Sequence, residues 1–170
     1  KGIASAGPFK GHKHTMYEGG LLVPACAEWP GVITPETITD VRCSTVDFLP
    51  TIERLSGYKR SSKDKRPIDG IDLMPVVNGE MKTRGKDLFF GYRRLVHKID
   101  GKVLISGDYK LLTEANKGGG NTYLYDLKND PGETSDLSKS MPEKFEAMLK
   151  KRDELDVSCQ LSRDGADYRY

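Results

Sequence analysis

The chain has 170 residues, of which 36% are hydrophobic and 31% charged, so it is too apolar for a disordered chain and too polar for a membrane-embedded one. No stretch approaches the roughly 20 apolar residues that span a bilayer, which excludes a membrane span of that kind. Lys and Arg number 27 against 25 Asp and Glu, and the two halves divided after Gly85 are nearly balanced, which argues against nucleic-acid binding by bulk electrostatics. The three cysteines, Cys26, Cys43 and Cys159, form no CxxC pair. An odd number without that spacing fits neither a disulfide scaffold nor a zinc ribbon, and two buried thiols with one near the C-terminus are expected. The chain begins at Lys1 rather than Met and shows no signal peptide, so its compartment is not readable from composition.

In chain order, residues 1–20 are rich in Gly and Lys and hold two of the three histidines, which predicts an irregular loop. Leu21 to Ala27 is a short apolar run bounded by Gly19-Gly20 and Trp29-Pro30, and predicts a buried strand, short or near an edge because of Pro24. Gly31 to Asp40 suits an extended connector. Ser44 to Leu55 predicts a helix, capped by Ser44 or Thr45, with Val46, Leu49, Ile52 and Leu55 at apolar spacing, a kink at Pro50 and a stop at Gly57. Tyr58 to Arg66 sets five basic residues against Asp64, either an anion-binding patch or a solvated loop, the second being the usual fate of a charge run. Gly70 to Val77 predicts a second short helix.

Beyond Arg84 the texture changes to strands. Asp87 to Tyr92 is one; Lys102 to Ser106 and Tyr109 to Thr113 form a hairpin across Gly107-Asp108; Thr122 to Leu127 is another. Gly118 to Asn121 predicts a loop tip. Pro142 to Leu155 predicts a helix with Phe145, Met148, Leu149 and Leu155 on one side. This half should be a small antiparallel sheet backed by one helix.

No nucleophile elbow, His-Glu-x-x-His, phosphate-binding loop or aspartate-rich calcium loop is present. The aspartates Asp69, Asp72 and Asp87 are scattered, and helix N-terminal charge accounts for the first two. The unusual segment is Gly11-His12-Lys13-His14-Thr15-Met16-Tyr17-Glu18-Gly19-Gly20. A lysine among glycines and histidines can approach an anion closely, and its compact ammonium suits a tetrahedral oxyanion. Composition alone would also accommodate a basic surface loop.

These residues, with those that follow, resemble the sulfatase family. The resemblance rests on Gly11-His12-Lys13, then Glu18-Gly19-Gly20, Val23-Pro24 and Trp29-Pro30-Gly31. It continues through Ser44-Thr45-Val46-Asp47-Phe48-Leu49-Pro50-Thr51, Asp69-Gly70-Ile71-Asp72-Leu73-Met74-Pro75, Gly107-Asp108-Tyr109-Lys110-Leu111 and Leu124 to Glu133. The order is the family's and the likeness covers essentially the whole chain. It implies an α/β fold: the C-terminal part of an alkaline-phosphatase-like sulfatase, with residues 1–85 ending the catalytic domain and residues 86–170 forming a subdomain of antiparallel sheet and terminal helix.

The resemblance further implies hydrolysis of sulfate esters, aryl or carbohydrate, with a formylglycine nucleophile and Ca2+. The Cys/Ser-x-Pro-x-Arg motif that supplies the nucleophile is not found around Cys26, Cys43 or Cys159, and the calcium ligands lie upstream in the family. This portion alone is therefore expected to be inactive. By resemblance, Lys13 is the lysine that contacts sulfate, and His14 beside it could touch sulfate or the leaving group. Tyr17, Glu18, Gly19 and Gly20 are expected to be structural. Leu22 stands where many sulfatases have Arg. Arg93, Arg94 and His97 are expected in a strand connection, a place where family members often shape specificity, with plain surface solvation the favoured reading of these charges. The expected partner is a sulfate ester, including a sulfated glycan; a periplasmic or secreted location is a family expectation only. Two other readings are a non-catalytic module binding sulfated glycans and a related phosphoryl-transfer hydrolase.

Overall fold

Four antiparallel strands in chain order build the sheet of this computed structural model, which describes residues 5–64, 66–94, 99–116 and 119–168. They are β1 (Leu88–Arg94), β2 (Ile99–Ser106), β3 (Tyr109–Asn116) and β4 (Gly119–Asp126). The β2–β3 turn falls at Gly107-Asp108 as the sequence predicts; Gly107 has φ +57°, a conformation that glycine adopts without steric cost. The pairing sets Leu104 opposite Leu111, and Leu111 opposite Leu124. Side chains alternate between faces along each strand, so the run Val103-Leu104-Ile105 is buried on both sides of the sheet.

One face carries Leu104, Leu111 and Leu124 against Met148, with Phe145, Leu149 and Leu155 packed around them. These last four lie along one side of the long helix that closes the chain's fold, Pro142–Arg163. Met148 and Leu149 follow Phe145 by three and four residues and Leu155 follows Leu149 by six, which gives the apolar stripe that the sequence shows. Each fully buried Leu contributes roughly 1.5–3 kcal/mol through water exclusion. Lys102 pairs with Asp156 at 2.7 Å and Lys151 pairs with Asp87, pinning the same helix at its polar margin.

The opposite face carries Val103, Ile105, Leu112, Tyr125 and Leu127 with Leu88, covered by Met16, Tyr17 and Leu21. Thus the N-terminal segment packs on the sheet across some ninety residues of sequence. Gly101 admits it: a Cβ there would stand 2.8 Å from Met16 Cγ. The chain divides into two compact units, Lys1–Val23 with Asp87–Ser158, and Pro24–Lys86 with Cys159–Tyr170. Both units are discontinuous in sequence.

The second unit is organised by a polar hub. A short 3-10 turn, Thr45–Asp47, leads into α2 (Phe48–Ser56). Asp47 is fully buried and accepts from Ser44 N at 2.7 Å and Ile71 N at 2.9 Å. Arg84 donates to both its oxygens, at 2.8 and 2.7 Å. Burial pushes the Asp47 carboxyl up, but the Arg84 guanidinium and the two amides outweigh it and hold it below its ordinary value. Thr51 Oγ1 donates to Asp47 O and accepts from Leu73 N, one helical turn on. Gly70 closes against Val46 O, where a Cβ would come within 2.2 Å. The residues Ser44, Asp47, Thr51 and Gly70 of two sequence motifs therefore meet at one junction.

Several expectations are corrected. Leu21 to Ala27 is not a buried strand: α1 (Glu18–Leu21) occupies its start, and Leu22 and Val23 are exposed, because Pro24 and the Gly-Gly pair favour a turn over a ladder. All three cysteines are exposed rather than two buried. Pro50 lies in the first turn of α2, where its missing N–H has no helical partner to lose. The apolar side chains Val46, Phe48, Leu49, Ile52 and Leu55 are exposed; Thr51 and Asp47 make the buried side. The helix predicted over Gly70 to Val77 forms only at α3 (Met74–Val77), with Asp72 accepting from Met74 N at 3.0 Å. Gly119 to Asn121 belong to β4 rather than a loop tip, with Gly118 outside the described residues. Arg93 and Arg94 lie within β1, and His97 is outside the described residues.

Candidate functional site

The segment between Lys10 and Gly19 forms a closed loop. Gly19 N donates to Lys10 O at 2.8 Å and closes its neck. Inside, Thr15 Oγ1 donates to His12 O at 2.8 Å and accepts from His12 N at 3.1 Å, while Thr15 N donates to His12 O at 3.0 Å. These bonds tie the residues on either side of Lys13 and His14, which stand exposed at the tip. His12 Nδ1 lies 2.7 Å from Lys13 O. His14 has φ +78°, in the left-handed region that non-glycine residues seldom enter. Compact loops whose ends meet and whose own side chains pack them are frequent carriers of function.

The loop interior tolerates no side chain at its exit. A Cβ on Gly20 would lie 2.2 Å from Thr15 O and 2.6 Å from His12 O, both backbone atoms. Gly20→Ala is therefore expected to open the loop and cost about 1–3 kcal/mol, as overpacking does. Urea unfolding followed by tyrosine near-ultraviolet circular dichroism checks this.

What fixes the loop to the sheet is a buried ion cluster. Lys110 of β3 is fully buried, with its Nζ 2.9 Å from Glu18 Oε1 and 2.8 Å from Glu133 Oε1. Glu133 Oε2 accepts from Glu18 N at 2.6 Å. Burial pushes the Glu133 carboxyl above its ordinary value, against the opposing pull of the Lys110 ammonium and the Glu18 amide. Glu133 also has φ +53°, a backbone state that costs a non-glycine residue on the order of 1 kcal/mol. Its own carbonyl accepts from Lys10 Nζ at 3.3 Å. The Lys10 ammonium lies 4.3 Å from the Tyr17 ring centroid and 5.5 Å from that of Tyr125, a cation over two aromatic faces. Burial pushes the Tyr125 phenol up to about 12 and, with Glu114 as hydrogen-bond acceptor at 3.0 Å, raises Tyr17 further, so both phenols stay neutral.

Lys13 and His14 are thus brought together at one exposed tip, and Tyr17, Glu18, Gly19 and Gly20 carry the structural duties expected of them. Sequence reasoning gave no role to Lys10, Lys110 or Glu133, although the last two sit in quoted motifs. The readable signal was a lysine on a strand face otherwise occupied by Leu112 and Tyr125. The basic stretch 58–66 is partly neutralised: Arg60 pairs with Glu53 of α2 at 2.8 Å and Arg66 with Asp64 at 2.6 Å. Among the described residues no group of three His, Cys, Asp or Glu side chains is placed to hold a metal ion, and no helix is long and apolar enough to cross a membrane.

The sheet, terminal helix and loop define the C-terminal part of the alkaline-phosphatase-like sulfatase fold. Ps i-CgsB in complex with k-i-k-neocarrahexaose superposes at TM-score 0.69 and 20% identity, covering 87% of this chain and 32% of that one. BT4656, solved with its substrate D-glucosamine-2-N,6-O-disulfate, matches at TM-score 0.52 and 23% identity over 73% of this chain and 25% of that one. The chain belongs to the family described as N-sulphoglucosamine sulphohydrolase, C-terminal, whose model matches residues 9–157. A sulfatase of Formosa agariphila is 31% identical over 83% of this chain and 27% of its own length. Arylsulfatase A of Homo sapiens is 33% identical over 74% of this chain and 28% of its own length. The chain thus spans under a third of the length of these relatives.

Proposed function

We propose that this chain is part of a hydrolase of sulfate esters, on aryl or carbohydrate substrates, and that Lys13 contacts the sulfuryl oxygens. The observation that supports this best is the locked loop that holds an exposed lysine at its tip beside His14. As the ester S–O bond breaks, negative charge builds on the sulfuryl and leaving oxygens, and a fixed ammonium offsets it. His14 is the second contact, to sulfate or to the leaving group. The resemblance to sulfatases extends the reading to Ca2+ and a formylglycine nucleophile. Among the described residues no cluster fits the ion, and the resemblance places the residues for both upstream of this portion.

The test uses a complete protein carrying this chain, assayed for sulfate release from p-nitrophenyl sulfate and glucosamine 6-sulfate. Lys13→Ala is expected to lower kcat by about 10²-fold, the usual loss of an oxyanion contact. Unchanged kinetics in that variant, or no release from either ester by the wild type, would overturn the reading.

A further inference from the structure

Both ends of the Lys13 loop end on one residue. Lys10, at the entrance, donates to the Glu133 carbonyl, and Glu18, at the exit, donates its amide to the Glu133 carboxylate. Lys10 and Gly19 are joined directly across the neck. Lys110 holds the Glu133 and Glu18 carboxylates on a common ammonium. Glu133 is fully buried, whereas the tip is exposed, and it keeps a left-handed backbone that its residue type does not favour. Its side chain and its carbonyl thus face two loop ends simultaneously.

We propose that Glu133 is a positioning residue for sulfate-ester turnover, a clasp that sets where Lys13 stands by fixing both ends of its loop. This rests on the reading of Lys13 as the sulfate contact. Glu133 touches no substrate; it acts through the loop. Positioning of a charge-stabilising group matters because the benefit is realised only when the ammonium already stands where charge develops. A loosened loop should therefore lower kcat more than it raises KM.

The experiment is a double-mutant cycle in a complete protein carrying this chain, on whichever of p-nitrophenyl sulfate and glucosamine 6-sulfate is turned over faster. Glu133→Ala is expected to lower kcat at least tenfold, and Glu133→Gln, which keeps a neutral acceptor for Glu18 N, to recover part of that loss. In a Lys13→Ala background the same Glu133 substitutions should change kcat less than twofold, since the group they position is gone. Amide hydrogen exchange of a peptide spanning residues 10–21 should accelerate in Glu133→Gln, a readout independent of activity that also serves if Glu133→Ala fails to fold. Equal losses in both backgrounds, or unchanged exchange of residues 10–21, would overturn the clasp while leaving the role of Lys13 intact. Unchanged kinetics in Lys13→Ala alone would overturn the underlying reading and the clasp with it.

Discussion

Lys110→Met is expected to destabilise the sheet-bearing unit by about 3–5 kcal/mol, the loss typical when one partner of a buried ion cluster is removed. The lysine is fully buried between two carboxylates that are themselves 2% exposed or less. Methionine fills nearly the same volume, so cavity formation is a minor part of the effect; the cost lies in leaving two carboxylates facing each other without a cation. Such a pair relieves itself by sharing a proton. The sign follows: a carboxyl whose folded pKa is raised above its unfolded value weakens the fold as pH rises past the unfolded value, and the penalty shrinks as pH falls. The variant should therefore regain stability between about pH 7 and pH 5, relative to wild type, approaching the ordinary glutamate range near 4.3. Urea unfolding at both pH values, followed by tyrosine near-ultraviolet circular dichroism, measures this. A pH-independent difference would mean that packing, not charge, dominates at position 110.

Asp47→Asn is expected to cost the other unit a comparable amount, about 3–5 kcal/mol, because it strands Arg84, whose side chain is only 7% exposed. Asparagine retains the size and one carbonyl acceptor, so the Ile71 or the Ser44 amide keeps a partner, while the other amide and one Arg84 nitrogen face an NH2 group that cannot accept. The pH dependence has the opposite sign to that at position 110. The Asp47 carboxyl is held below its ordinary value, chiefly against burial and by Arg84. Its contribution is complete above the unfolded aspartate pKa of about 3.9 and is lost as pH falls below that, through the depressed folded value. Wild type should weaken steeply below about pH 4 in this unit, and the variant much less. Trp29, the single tryptophan, lies in the same unit, so its fluorescence during urea unfolding reports the unit directly.

The two hubs explain what could and could not be read from the sequence. The strands β1 to β4 were legible because period-two alternation and a Gly-Asp turn act locally, and the long helix because Phe145, Met148 and Leu149 repeat at helical spacing. The tip residues Lys13 and His14 were singled out by residue type and by resemblance. Leu21 to Ala27 failed as a strand because a buried strand and an exposed extended segment share the same short apolar signal, and only pairing partners separate them. The cysteines failed for a related reason: burial is a property of neighbours distant in sequence. Lys110, Glu133 and Arg84 were missed because a buried ion cluster has no local pattern. Each member looks like an ordinary surface charge until the chain folds back on itself.

The same non-locality has a consequence for how the loop is born. Glu18 meets Lys110 across 92 residues and Glu133 across 115, while Lys10 reaches Glu133 across 123. During synthesis, which proceeds from the N-terminus, the segment bearing Lys13 emerges long before any of its anchors exist. Contacts of such sequence separation form late, after the loop-closure entropy has been met by the sheet itself. The lysine tip therefore takes its final shape only once residue 133 is in place, and a ribosome that stops short of it releases a chain whose loop lacks the Glu133 anchor.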